Sequence, residues 1–273
     1  MMTPSLTLND GHSIPQFGLG MWQVPNAVAP SLIVEAVAMG YRLIDTAAAY
    51  ENEEGVGGGI ADAGAPREDL YVTTKLGNGD HGFDQALRAF DRSLLRLKLD
   101  FVDLYLVHWP VARLDRYVET WRALIRLKEE DRARSIGVSN FTPDHIRRLV
   151  AETGIAPAVN QIELHPRFQQ AEARAFHEEV EIATQSWSPL GRGRLDEDRT
   201  LAEIARRHGK SWAQAILRWH IENGLVVIPK SISPSRLREN IGIFDFRLEQ
   251  DDMRRIAALD SQDGRVGPRP DQV

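Results

Sequence analysis

Short apolar runs that alternate with longer helical segments limit most strongly how this chain can fold. Eight such runs cover 16–20, 41–44, 70–74, 102–107, 134–138, 157–162, 181–186 and 225–229. Most are almost continuously apolar, as strands buried on both faces of a parallel sheet are. Between two of them, apolar residues recur at helical spacing, as at Phe83, Leu87, Phe90, Leu94 and Leu97. The alternation therefore predicts an α/β fold with a parallel sheet.

The number of strand–helix units favours a closed barrel. Eight units within 273 residues predict a (β/α)8 TIM barrel that forms one domain over residues 1–273. An open, doubly wound sheet remains the alternative on this pattern alone. Near the start of the chain, Asn9-Asp10-Gly11 lies between two β-like runs. This turn sequence predicts an N-terminal β-hairpin that closes the bottom of the barrel.

Composition excludes several classes of function. The chain contains no cysteine, so disulfides and thiolate metal sites are excluded. The net charge of −6 without a block of basic residues argues against a nucleic-acid partner. No apolar run approaches the roughly 20 residues that a membrane span needs, and the first residues lack the pattern of a signal peptide. We therefore expect a cytoplasmic protein without a membrane or nucleic-acid partner.

Polar or tryptophan side chains follow each apolar run. In chain order they are Trp22, Asp45, Tyr50, Lys75, His108, Trp109, Ser139, Asn140, Glu163, His165, Trp187, Ser188, Lys230 and Ser231. Gln161 lies near the end of its own run. The carboxyl ends of the strands of a parallel barrel meet at one mouth, where chemistry takes place. The sequence therefore predicts a functional site at that mouth.

The glycines at 55–59 do not form a nucleotide-binding loop. The pattern G-x-G-x-x-G needs a third glycine where this chain has Ile60. The glycines also fall inside a predicted helix and not directly after a strand. The polar residues at the strand ends, rather than the glycines, are therefore the candidates for function.

Several sequence blocks resemble the signatures of the aldo-keto reductase family. They are "DTAAAYENEEGVG", "TTKL", "DLYLVHWP", "RSIGVSNF", "AVNQIELHP", "WSPLG", and "IPKS" with "RLREN". The resemblance runs from about residue 5 to 262 and looks most like the bacterial 2,5-diketo-D-gluconate reductase type. It implies a monomeric, NADPH-dependent reductase for small carbonyl compounds, diketo-sugar acids among them.

The resemblance assigns catalytic roles to four residues. Tyr50 would donate a proton to the carbonyl oxygen, and His108 would orient that oxygen. A free phenol titrates near 10, and a neighbouring ammonium such as that of Lys75 lowers this value. Asp45 would keep the lysine charged. A barrel glycosidase that uses Asp45 and Glu163 offers no reason for Lys75, and a non-catalytic NADPH-binding regulatory subunit does not need the complete set.

The resemblance also implies a cofactor site. Ser139, Asn140 and Gln161 would hold the nicotinamide carboxamide, and Trp187 would stack on its ring. The remaining cofactor contacts are assigned to Ser188, Leu190, Lys230, Ser231, Ser233, Arg236, Glu239 and Asn240. Lys and Arg beside the start of a helix are typical of a phosphate site, which favours NADPH over NADH.

Three further residues are expected to shape the substrate cavity beside His108. Trp22 and Trp109 follow strands and would form walls. Gly77 stands where many relatives carry tryptophan, which predicts an unusually open cavity and a mobile loop. No metal site is predicted, since no third ligand accompanies His108 and His165 at a suitable spacing.

Overall fold

The eight predicted strands are present and lie parallel in the computed structural model, which describes residues 3–273. In chain order they are β3 Gly18–Gly20, β4 Leu43–Asp45, β5 Tyr71–Leu76, β6 Val102–Val107, β7 Ala133–Ser139, β8 Val159–Glu163, β9 Ala183–Trp187 and β10 Val226–Val227. Each strand pairs with the next one along the chain. A parallel bridge between Phe17 and Val227 joins the last strand to the start of the first. The sheet is therefore the predicted (β/α)8 barrel.

The strand ends differ from the predicted ones by at most two residues, and the differences affect the site. The second barrel strand begins at Leu43 and includes Asp45 as its last residue. Lys75 lies inside β5 and not after it. Trp187 also belongs to its strand, and Gln161 lies within its strand as predicted. Side chains predicted to follow strands are thus held by the regular hydrogen bonding of the sheet.

Ten α-helices connect and flank the strands. They are α1 Ala29–Ala38, α2 Glu53–Asp62, α3 Phe83–Leu97, α4 Tyr117–Glu129, α5 Pro143–Thr153, α6 Ala171–Glu179, α7 Arg199–Arg207, α8 Trp212–Glu222, α9 Pro234–Ile241 and α10 Gln250–Ala257 among the described residues. No helix within residues 3–273 is long and apolar enough to cross a membrane.

The two predicted helix caps differ. At α5, the Thr142 hydroxyl accepts a hydrogen bond from the His145 backbone N–H, as predicted. At α9, Ser233 occupies the cap position before Pro234, but its side chain does not cap the helix. The Ser233 hydroxyl instead lies 2.8 Å from the hydroxyl of Ser235. The predicted hydroxyl cap of α9 is therefore wrong, although the helix begins where expected.

The glycines of α2 allow close contact with its neighbours. A Cβ atom at Gly55 would lie 2.1 Å from the backbone oxygen of Asn26, and one at Gly57 would lie 2.2 Å from that of Leu97. Neither approach leaves room for a side chain. The prediction that these glycines belong to a helix rather than to a nucleotide loop is confirmed.

The N-terminal hairpin closes the bottom of the barrel. Its strands, β1 Ser5–Thr7 and β2 Ser13–Pro15, are antiparallel. Ile14 is fully buried and packs in one cluster with apolar side chains of the barrel interior, such as Leu104 and Val159. The closed bottom leaves the opposite end of the barrel as the open one.

Candidate active site

A buried ion pair lies at the carboxyl ends of β4 and β5. The Lys75 ammonium donates to the Asp45 carboxylate and, at 2.8 Å, to the backbone oxygen of Thr46. The Asp45 side chain is 2% exposed and that of Lys75 is 0% exposed. The second carboxylate oxygen of Asp45 accepts a hydrogen bond of 2.7 Å from Nε2 of Gln161. Because the two strands are neighbours in the sheet, the pair is fixed by the barrel itself.

The charge of Asp45 determines the state of the lysine. Burial lowers the pKa of Lys75, but the interactions of its ammonium with Asp45 and Tyr50 together outweigh burial and leave the pKa above its ordinary value. The lysine is therefore an ammonium ion shielded from water. Such a charge acts strongly on neighbouring groups because little solvent screens it.

Tyr50 lies directly above this pair on the loop after β4. The loop contains a short 3-10 turn, Ala48–Tyr50, and Asn52 holds it in place. The Asn52 amide donates to the backbone oxygens of Met21 and Val24 at 2.8 Å and 3.0 Å. The Lys75 nitrogen lies 5.1 Å from the centroid of the Tyr50 ring. The ammonium and the phenol are thus held close together.

The pKa of Tyr50 differs from the sequence expectation. Burial raises this pKa, and the positive charge of Lys75 lowers it by less, so that it lies above 10.0. The expected net lowering of this pKa by the lysine is therefore wrong, although the ammonium does act in the predicted direction. A buried phenol loses more solvation on ionisation than one ammonium restores. Tyr50 is consequently a protonated, neutral donor at physiological pH.

His108 completes the group at the end of β6. Its ring centroid lies 5.7 Å from that of Tyr50, with the two rings almost perpendicular at 77°. Burial, together with the charge of Lys75, lowers the pKa of His108 to about 3. The imidazole is therefore neutral and can donate one N–H to a carbonyl oxygen.

These side chains lie at the floor of a cavity of about 410 Å³ at the barrel mouth. Residues predicted for the site that line this cavity are Trp22, Asp45, Tyr50, His108, Trp109, Ser139, Asn140, Gln161, Trp187, Ser188 and Lys230. The cavity is of the size that binds small ligands. Lys75 lies beneath it, in contact with Asp45 and close to the Tyr50 ring.

Polar side chains connect one wall of the cavity to the ion pair. The Asn140 amide nitrogen donates to the His108 backbone oxygen and to the Ser139 hydroxyl, both at 3.0 Å. The Asn140 side-chain oxygen accepts from the Trp187 indole at 2.8 Å. Ser139 in turn donates to the backbone oxygen of Gln161 at 2.8 Å. The predicted nicotinamide residues therefore form one hydrogen-bonded network.

Gly77 is not brought to this cavity. It lines an adjacent cavity of about 480 Å³ together with Glu51 and Arg96, while its neighbour Asn78 lines the main one. The loop around it forms a short 3-10 turn, Asn78–Asp80, and a Cβ atom at Gly77 would lie 3.2 Å from an Asp80 oxygen. The predicted opening of the substrate cavity at Gly77 therefore lacks support from this arrangement.

The other predicted cofactor residues lie beyond the cavity. Leu190 packs, partly buried, between the two main core clusters. The remaining predicted cofactor residues lie in or next to α9: Ser231, Ser233, Arg236, Glu239 and Asn240. They follow Lys230 in the sequence and are not among the residues that line the cavity.

The comparisons with known proteins agree with this geometry. A model of the Aldo/keto reductase family matches residues 15–261. The chain belongs to the aldo/keto reductase family. It is 51% identical over 269 residues to an aldo-keto reductase of Mycolicibacterium smegmatis, with 98% of each chain covered. It is 49% identical over 270 residues to the methylglyoxal reductase DkgA of Escherichia coli, covering 98% of this chain and 97% of the relative.

Solved structures of aldo/keto reductases are also similar. The apo form of Gox0644 superposes with a TM-score of 0.96 at 47% identity, covering 99% of this chain and 98% of that one. An aspartate-to-alanine mutant of Gox0644 in complex with NADPH has a TM-score of 0.97 at 46% identity, covering 100% and 99%. The family and the barrel inferred from the sequence are both confirmed.

Arg192 and Pro268 are among the cavity residues that sequence reasoning missed; the others are Gly20, Ala49, Asn78, Pro189 and Ile228. Arg192 places its guanidinium 4.6 Å from the centroid of the Trp22 ring and lines the cavity. Its position between two glycines in "LGRG" could have indicated an exposed, charged turn. Pro268 also lines the cavity. It lies in the C-terminal tail, where no pattern signals it.

The two histidines considered for a metal have other surroundings. His165 lies 3.3 Å from the Glu163 carboxylate, while His108 faces the cavity. Within residues 3–273 no three His, Cys, Asp or Glu side chains are grouped so that they could hold a metal ion.

Proposed function

We propose that this aldo/keto reductase reduces small aldehydes and ketones to alcohols with NADPH, and that Tyr50 is the general acid. The observation that carries the proposal is the neutral phenol of Tyr50, close to the buried ammonium of Lys75 and to the neutral imidazole of His108, at the floor of the cavity. This grouping supplies a proton donor, a stabilising charge and an orienting hydrogen bond at one point.

The proton transfer follows from these three groups. The His108 N–H would hold the carbonyl oxygen of the substrate near the Tyr50 hydroxyl. Tyr50 would then give its proton to that oxygen, and the phenolate that forms would be stabilised by Lys75. Burial keeps the phenol protonated before the reaction, and the ammonium becomes most favourable as the phenolate appears. Asp45 keeps the lysine charged throughout.

The residues present fit a nicotinamide dinucleotide, which would supply the hydride when bound. The Ser139, Asn140 and Gln161 network offers donors and acceptors at the cavity wall, and Trp187 lies beside it as an aromatic surface. Lys230 borders the cavity and is exposed, as is Arg236 in the first turn of α9. These two cations and the helix start suit the 2′-phosphate of NADPH. The NADPH complex of Gox0644 supports the same choice.

The cavity favours small carbonyl compounds. Trp22 and Trp109 supply aromatic walls, and Arg192 adds a positive charge that suits a carboxylate, as in keto acids and diketo-sugar acids. The similarity to a methylglyoxal reductase supports 2-oxoaldehydes as substrates. A monomeric state and a cytoplasmic location remain predictions from the sequence.

The substitution Tyr50→Phe tests the proposal. We expect NADPH oxidation with methylglyoxal to fall about 10²–10⁴-fold, because a general acid contributes that much. Cofactor affinity, measured by quenching of Trp187 fluorescence, should stay the same. Tyr105→Phe is the matched control, since this buried tyrosine has a hydroxyl without a hydrogen-bond partner in the described part of the chain.

Two outcomes would contradict the proposal. A Tyr50→Phe protein within about threefold of the parental rate would remove Tyr50 as the acid. An unmodified protein that binds NADPH but reduces no aldehyde would instead be the non-catalytic regulatory subunit.

A further inference from the structure

Glu163 is a fully buried carboxylate for which the reaction has no use. It ends β8, and its side chain is 0% exposed. Its two oxygens accept hydrogen bonds from consecutive backbone N–H groups, those of Val266 at 2.5 Å and Gly267 at 2.9 Å. His165 Nε2 lies 3.3 Å from the first of these oxygens. The carboxylate therefore joins the barrel to the C-terminal tail.

The tail segment 265–268, here called the C-terminal strap, reaches the cavity at this point. Pro268 lines the cavity. A Cβ atom at Gly267 would lie 2.3 Å from the Trp187 ring and 2.9 Å from a Glu163 oxygen, so the strap lies directly against both. Arg265 places its guanidinium 4.4 Å from the centroid of the Phe168 ring. The strap is thus held on the barrel mouth.

The chemistry of this attachment requires a carboxylate. Two backbone N–H groups that point at one side chain need an acceptor at both of its ends. A glutamine can accept at only one end and would direct its NH₂ group at the other backbone N–H. A buried carboxylate is tolerated only where hydrogen bonds compensate for its lost hydration, and these N–H groups do so.

We propose that Glu163 is a positioning residue for substrate selection, which fastens the C-terminal strap against Trp187 so that Pro268 forms a fixed wall of the cavity. This inference depends on the proposed carbonyl reduction for its kinetic consequences. A fixed wall gives small carbonyl compounds contacts that lower KM and denies space to bulky ones. Release of the strap should reverse that preference without touching Tyr50 or Lys75.

The kinetic test compares kcat/KM for methylglyoxal and for a bulky aryl ketone in Glu163→Gln. We expect the ratio of the two to shift by about tenfold toward the bulky ketone, mainly through KM for methylglyoxal, since a hydrogen bond to a charged group is lost. Glu172→Gln, an exposed glutamate on α6, is the control and should leave the ratio unchanged. An unchanged ratio in Glu163→Gln would overturn the proposal.

A deletion of residues 265–273 separates the strap from other effects of Glu163. If Glu163 acts through the strap, the deletion should shift the ratio in the same direction. Adding Glu163→Gln to the deletion should then change the ratio no further. A further change of similar size in the shortened chain would show that Glu163 affects the cavity by another route.

Proteolysis tests the attachment without any turnover. Trypsin should cut after Arg265 several-fold faster in Glu163→Gln than in the parent, at equal thermal stability of the barrel. Because no carbonyl reduction is needed, failure of the proposed function and failure of this inference remain distinguishable. Equal cutting rates would contradict the attachment.

If Glu163→Gln does not fold, Gly267→Ala tests whether the strap forms a fixed wall of the cavity. The added methyl group would collide with the Trp187 ring and displace the strap while the buried carboxylate stays in place. We expect the same shift in substrate ratio and the same faster cutting. Parental values of both would overturn the proposal.

Discussion

Two buried aspartates at opposite ends of the barrel are compensated in different ways. Asp45 at the mouth is paired with Lys75, and both side chains are withdrawn from water. Asp103, near the start of β6 at the bottom, is 4% exposed but pairs with Arg67 at 2.7 Å and Arg134 at 2.9 Å. The side chains of Arg67 and Arg134 are 21% and 41% exposed, respectively. Only the pair at the mouth leaves both charges desolvated.

The groups around Asp103 also keep part of their contact with water, whereas those around Asp45 do not. Asp103 also accepts the Val72 backbone N–H at 2.9 Å, and both arginines lie over the Phe101 ring at 4.3 Å and 4.1 Å. Its charge is shared among groups that keep part of their hydration, which suits a structural role. A fully desolvated pair contributes little to stability but acts strongly on its neighbours. The difference fits a structural role for Asp103 and the proposed catalytic role for the Asp45–Lys75 pair beside Tyr50.

Among the substitutions that test the difference between the two aspartates, Lys75→Met should have the largest effect on activity and stability. Carbonyl reduction should fall about 10²–10⁴-fold, because the Tyr50 phenolate loses its stabilising charge. The free energy of unfolding should also fall by about 3–5 kcal/mol, since Asp45 is left as an uncompensated buried charge. Steady-state kinetics and urea unfolding measure the two effects.

A double variant separates the two effects of Lys75→Met. Adding Asp45→Asn removes the uncompensated charge, so that stability should recover in part while activity does not. Recovery of activity in the double variant would show that the lysine acts only by keeping the barrel folded.

Arg236→Ala tests an exposed cation at the mouth. We expect the preference for NADPH over NADH to narrow by about 10–150-fold through cofactor affinity, because a charge-assisted hydrogen bond contributes roughly 1.5–3 kcal/mol. Unfolding free energy should change little, since the side chain is exposed. Arg238→Ala on the same helix is the matched control. Equal affinity of the parent for both cofactors would contradict the assignment of a 2′-phosphate site.

Asp103→Asn tests the bottom of the barrel. Asparagine keeps the shape but loses the charge that binds both arginines, so the unfolding free energy should fall by about 1–3 kcal/mol. kcat/KM for methylglyoxal should stay within about twofold, because the substitution lies at the end away from the cavity. Urea unfolding and steady-state kinetics measure these values. A loss of activity comparable to that of Lys75→Met would remove the division between the two ends.

The sequence predicted the barrel and the residues at its mouth because both depend on local patterns. Apolar runs define the strands, and a polar residue at a strand end must reach the mouth, as Asp45 and His108 do. The net pKa of Tyr50 was predicted wrongly because it depends on how much protein surrounds the phenol. Asp103 gave no signal, since a single acid within the run "VDLYLV" does not reveal which end of the barrel it faces.

Contacts between residues that are far apart in the chain could not be predicted from the sequence either. Glu163 and Gly267 are 104 residues apart, and no periodic pattern relates a strand to an irregular tail. Gly77 was placed in the cavity by resemblance, but it lines an adjacent cavity, and its neighbour Asn78 lines the main one. Loop and tail positions depend on tertiary contacts that single residues do not encode.

The substitution of His220 has the smallest expected effect. It tests whether a strongly shifted pKa can occur away from the mouth of the barrel without any role in activity. It is fully buried in α8, and burial lowers its pKa to about 3, as it does for His108 at the mouth. The unfolded chain takes up a proton near pH 6.5. The stability that neutral His220 contributes is therefore present above pH 6.5 and is lost as pH falls from 6.5 toward 3. At pH 5 this loss is about 2 kcal/mol.

His220→Leu keeps the position apolar and removes the titration. The difference in unfolding free energy between pH 7.5 and pH 5 should therefore shrink by about 2 kcal/mol, and kcat/KM for methylglyoxal should be unchanged at pH 7.5. An identical pH dependence in parent and variant would show that His220 is protonated in the folded protein at pH 5, which its full burial argues against.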